Sequence, residues 1–401
     1  MKQINRKICA AIAGLLVLGL VQTAAASSIF SRTGVGIIRY NPGAMAMGMG
    51  GVGLADANVL SIPHLNPAGL SFTSLTRFEG SFLFENTDVT FSADDARFAK
   101  ATFNTFRVIF PVKSGFGLGL GLEPFSDVAY KLVRPVEYEG NSGAESLTGS
   151  GGLQHGFIEL GGKITNWLRV GASFDAYFGR IENTWRLIFD DPSFNPSVDE
   201  TSTYIDGIGG HVGLILQLGK HVDAGAVFYF PTTLTAETQR VFQFGDQTEK
   251  QVSDLKLPFA HGYGLTITPN ARFQAGVDLF LQSWSDIQPD EFLSVAADNT
   301  YRLGVGLAYT PSTEFLAGFL SRLTYRAGFN TSTLPYLNAN GDQIHENLVS
   351  FGLGVPFNFG VSKIDFGFEY GKRGSLEKFG AEEKIFRFVL TVTGGERWFL
   401  R

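Results

Sequence analysis

Apolar and polar residues alternate along most of the chain from about residue 76 onward. Val170, Ala172 and Phe174, for example, alternate with Gly171 and Ser173. Successive side chains of a β-strand face opposite sides of the sheet, so this period of two predicts strands. One face of each predicted strand is apolar, and the other is charged, polar or glycine.

Division at the turn signals predicts fourteen strands, near residues 76–86, 101–112, 115–138, 153–164, 167–190, 201–218, 220–243, 250–268, 270–285, 297–310, 322–334, 343–358, 361–373 and 383–394. The turns 112–115, 164–167, 218–221, 268–271 and 357–363 are tight, whereas 139–152 and 285–297 are expected to be longer polar loops. An even strand number with short turns at one end and longer loops at the other is typical of outer-membrane barrels. The connection at residues 310–322 is an exception, because it is long although it belongs to the end where the other connections are short turns.

A soluble β-sandwich would also show alternation, so the composition of the polar face has to decide between the two folds. Glycine is among the commonest residues of that face, and only 17% of all residues are charged. A water-facing surface usually carries more charge, whereas small residues suit an enclosed lumen. The sequence therefore favours an all-β, antiparallel transmembrane barrel whose apolar face meets the lipid bilayer.

The N-terminus has the pattern of a cleaved secretory signal peptide, residues 1–26. Basic residues precede an apolar run from Ala10 to Leu20, and Ala24 to Ala26 form a small-residue cleavage site. The single cysteine, Cys9, would leave with this peptide. Its removal would take the formal charge from -6 to -9, because three basic residues leave with it. An acidic exported protein is a poor nucleic-acid binder, so we expect none as partner.

The stretch from Asn41 to Leu70 differs from everything after it. It is rich in Gly, Ala and Met and is interrupted by Pro42, Pro63 and Pro67, so it fits neither a strand nor one long helix. We interpret it as a plug inside the barrel. The predicted organisation is a signal peptide (1–26), an N-terminal plug (27–75), a barrel (76–394) and a periplasmic tail (395–401).

The plug stretch carries a family resemblance. Gly50-Gly51 and the run Asn66, Pro67, Ala68 and Gly69, placed just before the first strand, resemble the N-terminal signature of FadL-type outer-membrane transporters. The resemblance implies a fourteen-stranded barrel with a luminal hatch. It also implies passive uptake of hydrophobic compounds such as long-chain fatty acids, with lateral release at a kinked third strand.

The sequence departs from the FadL pattern in its short segment before Asn41 and in its C-terminal end, and the basic, aromatic C-terminal tail is more similar to PorV-like relatives of that family. This similarity implies an alternative, in which the barrel is a secretion-associated surface protein that holds an exported partner without transport. A polar porin is a poorer third option, because a hatch would block its lumen.

The third predicted strand contains Glu123, Pro124 and Phe125. Proline cannot donate to a sheet ladder, so one hypothesis is that Pro124 interrupts pairing and marks a lateral opening. An ordinary bulge or strand end at Leu122 is the alternative.

A hydrophobic ligand would need an apolar pocket beside the plug. Methionine adapts to irregular apolar shapes, so the three clustered methionines are candidates, although they could equally pack the plug against the wall. The candidate ligand-binding residues, including three arginines that could meet a carboxylate, are Met45, Met47, Met49, Leu83, Phe157, Tyr177, Val227, Tyr229, Phe280, Arg169, Arg302 and Arg326. Most inward charges are expected to form pairs that hold the plug.

The sequence contains no convincing motif for cofactor binding, metal binding or catalysis. Gly48, Gly50 and Gly53 match a G-x-G-x-x-G pattern, but no strand-to-helix context surrounds them. The six histidines lack metal-ligand spacing, and no nucleophile motif stands out. We therefore expect no metal, no cofactor and no enzymatic activity.

Overall fold

A computed structural model describes residues 27–40, 43–58, 61–91, 95–243, 248–287, 295–314 and 316–396. The predicted signal peptide, residues 1–26, and most of the predicted tail, residues 397–401, lie outside the described residues. Among the described residues, no helix has the length and apolar character needed to cross a membrane.

The wall of the molecule is one closed antiparallel sheet of fourteen strands, three of which consist of two segments. The strands are β1 Thr76–Phe91, β2 Asp95–Lys113, β3 Phe116–Pro124 with Ser126–Tyr138, β4 Asn141–Lys163, β5 Leu168–Phe189, β6 Ser197–Gln217, β7 Val222–Tyr229 with Thr232–Phe242, β8 Thr248–Leu257 with Ala260–Asn270, β9 Phe273–Gln282, β10 Thr300–Tyr309, β11 Thr324–Leu337, β12 Gln343–Phe357, β13 Ser362–Ser375 and β14 Ala381–Glu396. Strand β14 pairs with β1 and closes the barrel. The predicted fourteen-stranded barrel is confirmed.

The large apolar side chains of the strands face outward. Phe174 is 55% exposed and Phe351 is 61% exposed, although both lie in the middle of long strands. Their neighbours of opposite parity, such as Asp175 and Ser350, are buried inside. This arrangement excludes a sandwich, in which Phe174 would be covered by a second sheet.

Most connections follow the prediction, with two clear errors. The gap predicted between the strands near 76–86 and 101–112 is much shorter, because β1 runs to Phe91 and β2 begins at Asp95. Residues 139–152 are not a long loop, because Glu139 and Gly140 take positive φ and form a two-residue turn, after which β4 begins at Asn141. The alternation in 141–152 is hidden by small residues. At the short-turn end, the connection from Thr310 to Leu323 is indeed long and contains a 3-10 helix, Phe319–Arg322.

Strand β14 ends at Glu396, two residues beyond the predicted end at residue 394. The remaining helices are short: α1 Ala44–Met47, α2 Leu376–Phe379, and 3-10 helices Ile29–Arg32, Pro67–Phe72, Trp284–Asp286 and Asn358–Gly360. We call the end of the barrel that holds the tight turns the turn end, and the opposite end the loop end.

The N-terminal segment lies inside the barrel, where glycines of the wall allow its backbone to approach. A Cβ atom at Gly306 would collide with the carbonyl oxygen of Met49, and one at Gly225 would collide with that of Leu54. The inward-facing glycines where a Cβ would collide with the backbone of this segment are Gly117, Gly161, Gly171, Gly225, Gly304, Gly306, Gly328 and Gly367, and at Gly213 it would collide with the Asn66 side chain. The glycine-rich face of the predicted strands is therefore the surface that seats this segment.

Hydrogen bonds fix the Asn66-Pro67-Ala68-Gly69 motif against the wall. Asn66 Oδ1 accepts from Ala68 N at 3.0 Å and so caps the 3-10 helix Pro67–Phe72. Asn66 Nδ2 donates to the carbonyl oxygens of Leu54 at 2.8 Å and of Leu214, on β6, at 3.0 Å. One side chain thus joins two parts of the segment to the barrel.

An apolar cluster, which we call the upper core, fills the lumen on the loop-end side. Its buried members include Val35 of the N-terminal segment, Trp284 and Ile287 of the β9–β10 connection, and Tyr336 of β11. Tyr336 Oη accepts a hydrogen bond from Val35 N at 3.1 Å. The upper core therefore closes the lumen above the plug.

Candidate functional site

An aromatic chamber of about 100 Å³ lies between the plug and the upper core. Leu54 and His64 of the plug form one side, and Trp284 of the upper core lies on the other. Seven Phe, Tyr and Trp rings line it: those of Tyr40, Phe125, Tyr177, Tyr229, Phe230, Phe280 and Trp284. The Phe280 ring lies 5.7 Å from that of Tyr40 and 5.8 Å from that of Tyr229, both edge to face.

Four of the predicted ligand-binding residues meet in this chamber: Tyr177, Tyr229, Phe280 and Arg302. Leu83 instead borders a neighbouring cavity of about 80 Å³, to which Arg302 and Tyr40 also contribute. The other two predicted apolar residues, Phe157 and Val227, are buried nearby.

The three methionines have three different surroundings. Met47 borders the same small cavity as Leu83. Met49 packs against Val52 and Ala308, and Met45 borders a polar cavity of about 640 Å³ at the turn end. They do not line one pocket in this structure.

The three predicted arginines also differ. Arg326 forms an ion pair with Asp365 at 2.7 Å, and Arg169 stacks on Phe72, 3.8 Å from its ring centroid. Among the residues that the structure describes, Arg302 donates only to the carbonyl oxygens of Gly50 and Gly51, both at 3.4 Å, and its guanidinium lies 5.3 Å from the centroid of the Tyr40 ring. No ion pair among the described residues involves Arg302, so its guanidinium is the one best placed to receive an anionic group in the chamber.

The hydrogen-bonded wall is interrupted between β2 and β3. Their ladder ends at the pair Phe106 and Leu122, just before Glu123. After Phe125, the second segment of β3 pairs with β4 and with a two-residue strand of the N-terminal segment, Ile37–Ile38. A cavity of about 770 Å³, which we call the wall gap, lies beside this interruption and is lined by the loop-end parts of β2 to β6, together with Arg39 and Leu83.

Arg39 borders both the aromatic chamber and the wall gap. Its guanidinium pairs with Glu85 at 3.3 Å and with Asp127 at 3.0 Å, and Lys100 of β2 also pairs with Asp127. Burial would lower the pKa of Arg39, but the two carboxylates raise it above its ordinary value, so this side chain stays charged. A charged residue thus stands between the chamber and the gap.

Sequence reasoning missed a buried cluster beside the chamber that contains three histidines. His211 Nδ1 lies 2.7 Å from Asp175, His155 Nε2 lies 3.2 Å from the same carboxylate, and His64 Nε2 lies 2.7 Å from Glu79. The spacing of the histidines along the sequence gave no signal of this cluster. His155 lies two residues before the inward-facing Phe157 on the same strand, however, so alternation along the strand places its side chain inward too. No cluster in the described ranges has the arrangement of a metal site.

Arg107 joins this cluster to the plug. Its guanidinium donates to the carbonyl oxygens of Pro63 at 2.6 Å and His64 at 3.0 Å, and it lies 3.4 Å from Glu159. The expectation that inward charges hold the plug describes this arrangement well. Glu123, predicted to mark the lateral opening, is also a member and lies 3.5 Å from both Arg107 and His155.

A closed fourteen-stranded barrel with an N-terminal segment in its lumen is the fold that the resemblance to FadL-type outer-membrane transporters implies. The chain resembles a Pseudomonas aeruginosa FadL homologue with a TM-score of 0.63 and 14% identity, over 90% of this chain and 99% of that chain. It resembles the Ralstonia pickettii toluene transporter TbuX with a TM-score of 0.61 and 15% identity, over 89% and 99% of the two chains. The P. putida toluene transporter TodX matches with a TM-score of 0.59 and 16% identity, over 90% and 99%.

At these identities the likeness shows the fold, and the fold supports the predicted outer-membrane location. The sequence itself matches the BamG family over residues 4–401, and the chain belongs to that family. No curated protein sequence matches the chain significantly.

Proposed function

We propose that this protein is an outer-membrane channel for the passive uptake of hydrophobic compounds. The observation that carries the proposal is the aromatic chamber, which offers apolar contacts that an open aqueous pore lacks. The similar barrels include two described as toluene transporters. A ligand would enter from the outer loops, occupy the chamber, and leave sideways through the wall.

The size of the chamber favours a compact ligand. An apolar cavity of roughly 150 Å³ is large enough to hold one benzene ring. The chamber, at about 100 Å³, is of that order. A long-chain fatty acid, which the family resemblance implies, would need the chamber joined to the cavity beside Met47 and Leu83, and movement of Tyr40 would join them because it borders both. Arg302 would then meet the carboxylate.

The wall gap is the proposed place of lateral release. The β2–β3 ladder ends one residue before Glu123, next to Pro124 and Phe125, which fits the hypothesis drawn from Pro124. Passage from the chamber would require Arg39 to swing away from Glu85 and Asp127. The gap is polar, so it suits a ligand that carries a polar group.

The alternative function is a PorV-like barrel that holds an exported protein. It would need no internal apolar chamber, and none of the similar barrels named above is described as binding such a partner. The channel function is therefore the better supported of the two.

A fluorescence titration tests the proposal. The purified protein should bind 1-N-phenylnaphthylamine saturably, and toluene should displace it. Tyr229→Ala removes ring contacts worth about 0.5–1.5 kcal/mol and should weaken binding between about 2-fold and 10-fold. Tyr263→Ala, which removes an outward ring from the neighbouring strand, is the matched control and should leave affinity unchanged. Binding that does not saturate, or that both variants weaken equally, would contradict the proposal.

The role of Arg302 is tested by the choice of competitor. Arg302→Met should weaken competition by palmitate and leave competition by toluene unchanged, because only palmitate carries a carboxylate. Arg326→Met is a control, since Arg326 is already paired with Asp365. Equal loss for both competitors would show that Arg302 only shapes the chamber.

A further inference from the structure

The wall has a second interruption, between β7 and β8. One ladder between these strands runs from the pair Tyr229–Ala260 toward the turn end, and the other runs from Thr232–Leu257 toward the loop end. Phe230 and Pro231 therefore face Pro258 and Phe259 without a ladder pair. We call these four residues the β7–β8 window.

Two prolines at the same level explain the interruption. Neither Pro231 nor Pro258 has an N–H to donate, so neither can continue a ladder. The main-chain hydrogen bonds at the window lead away from the seam: Phe230 N donates to Gly210 O on β6 at 3.1 Å, and Phe259 O accepts from Ser283 N at 3.0 Å. The β6–β7 ladder itself stops at His211–Tyr229 and resumes at Asp206–Thr235, so at this level β7 is joined to β6 by the Phe230 bond rather than by a continuous ladder.

The window borders the aromatic chamber directly. Phe230 and Pro258 line the chamber, together with the flanking residues Thr232, Leu257 and Ala260. On the other side of the wall, Phe230 is 52% exposed. At this level the window residues therefore separate the chamber from the outside of the barrel.

The chemistry of the window differs from that of the wall gap. Its four residues are two phenylalanines and two prolines, whereas the gap is lined by Lys100, Asp127 and Arg39. An uncharged apolar compound that passed the gap would have to separate charges from their partners, which is costly in a water-poor site. No such cost arises at the window.

The window lies at the loop-end rim of the apolar belt. Just above it the outward residues are polar and exposed, as Thr233 and Lys256 are, and just below it they are aromatic, as Phe228 and Tyr263 are. A compound that crosses the window would thus reach the lipid near the outer surface of the bilayer.

We propose that the β7–β8 window is a second lateral route, through which uncharged, compact apolar compounds exchange between the chamber and the lipid. This inference rests on the proposed channel function. Ligands that carry a polar group would leave through the wall gap, and uncharged apolar ligands would leave through the window.

A release experiment tests the window. Cys9 is the only cysteine of the sequence, so in the chain from residue 27 onward Phe230→Cys can be labelled at one site with a charged methanethiosulfonate. The protein in nanodiscs is loaded with 1-N-phenylnaphthylamine, and the loss of fluorescence is followed after mixing with empty nanodiscs. We expect the label to slow release by at least about tenfold relative to unlabelled Phe230→Cys, equivalent to roughly 1.4 kcal/mol of barrier. The equilibrium affinity of both forms is measured as well, so that a lost ring contact in the chamber is distinguished from a slower exit.

Two further variants keep the result interpretable. Phe228→Cys carries the same label in the continuously paired part of β7 and should release the dye at the unmodified rate. Pro231→Thr with Pro258→Thr restores both N–H donors, should let the ladder continue, and should also slow release. Heat-dependent mobility on gels confirms that each barrel is folded.

The outcomes separate the two proposals. If the unmodified protein binds no dye saturably, the channel function fails. If it binds dye but labelled Phe230→Cys releases it at the unmodified rate, or loses affinity without slower release, the window is overturned and the channel function stands.

Discussion

Replacement of Asp278 by alanine should release the centre of the plug from the wall while leaving the barrel intact. Asp278 is buried on β9, and its Oδ2 atom accepts from Gly53 N at 2.6 Å and from Leu54 N at 2.8 Å. Both donors belong to the plug. The variant would leave two buried N–H groups without their charged acceptor.

The magnitude follows from these two bonds. A hydrogen bond to a charged group contributes roughly 1.5–3 kcal/mol, so the pair contributes about 3–6 kcal/mol to the closed state. Local opening at residues 53 and 54 should therefore become about 10²-fold to 10⁴-fold more frequent, since 1.4 kcal/mol corresponds to tenfold. Asp278→Asn keeps an acceptor oxygen without the charge and should show a smaller effect.

Amide hydrogen exchange followed by mass spectrometry measures this opening directly. Ser350→Ala is a useful comparison, because Ser350 Oγ accepts a single bond from Gly50 N at 2.9 Å and its loss should cost only about 0.5–1.5 kcal/mol. The reasoning is wrong if exchange at residues 53 and 54 is the same in Asp278→Ala as in the unmodified protein. It is also wrong if Ser350→Ala has the larger effect.

Three other variants probe the plug and the upper core. Burial raises the pKa of the Asp56 carboxyl in the folded protein. The stability that its neutral form contributes is therefore fully present below the ordinary pKa of ~3.9 and is lost as the pH rises through the raised pKa. Asp56→Asn should flatten this pH dependence, measured as the protection of plug amides against hydrogen exchange. Trp284→Ala should cost about 3–5 kcal/mol of upper-core stability, seen as faster exchange there, because the side chain is fully buried. Gly306→Val should expose the plug to protease by collision with Met49, whereas Gly318→Val, which has open space around its Cβ, should not.

The alternation of apolar and polar residues along the strands was enough to predict most of the fold. Local alternation at Val170 to Phe174 was enough to predict a strand, its lipid face and, by repetition, a fourteen-stranded barrel. The error at residues 139–152 arose where small residues hide the alternation. The break at Pro124 could be anticipated from chemistry, because a missing N–H is a local property. The matching break at Pro231 and Pro258 could not, because two distant prolines meet only through strand register.

The sequence by itself determined which side chains face the lumen, since parity along a strand is fixed by the pleat. Only the tertiary structure decided which of them meet. Tyr177, Tyr229 and Phe280 share a chamber, whereas Met45, Met47 and Met49 separate, because barrel closure and the path of the plug set distances across the lumen. The same closure gathered three histidines that are far apart in the chain.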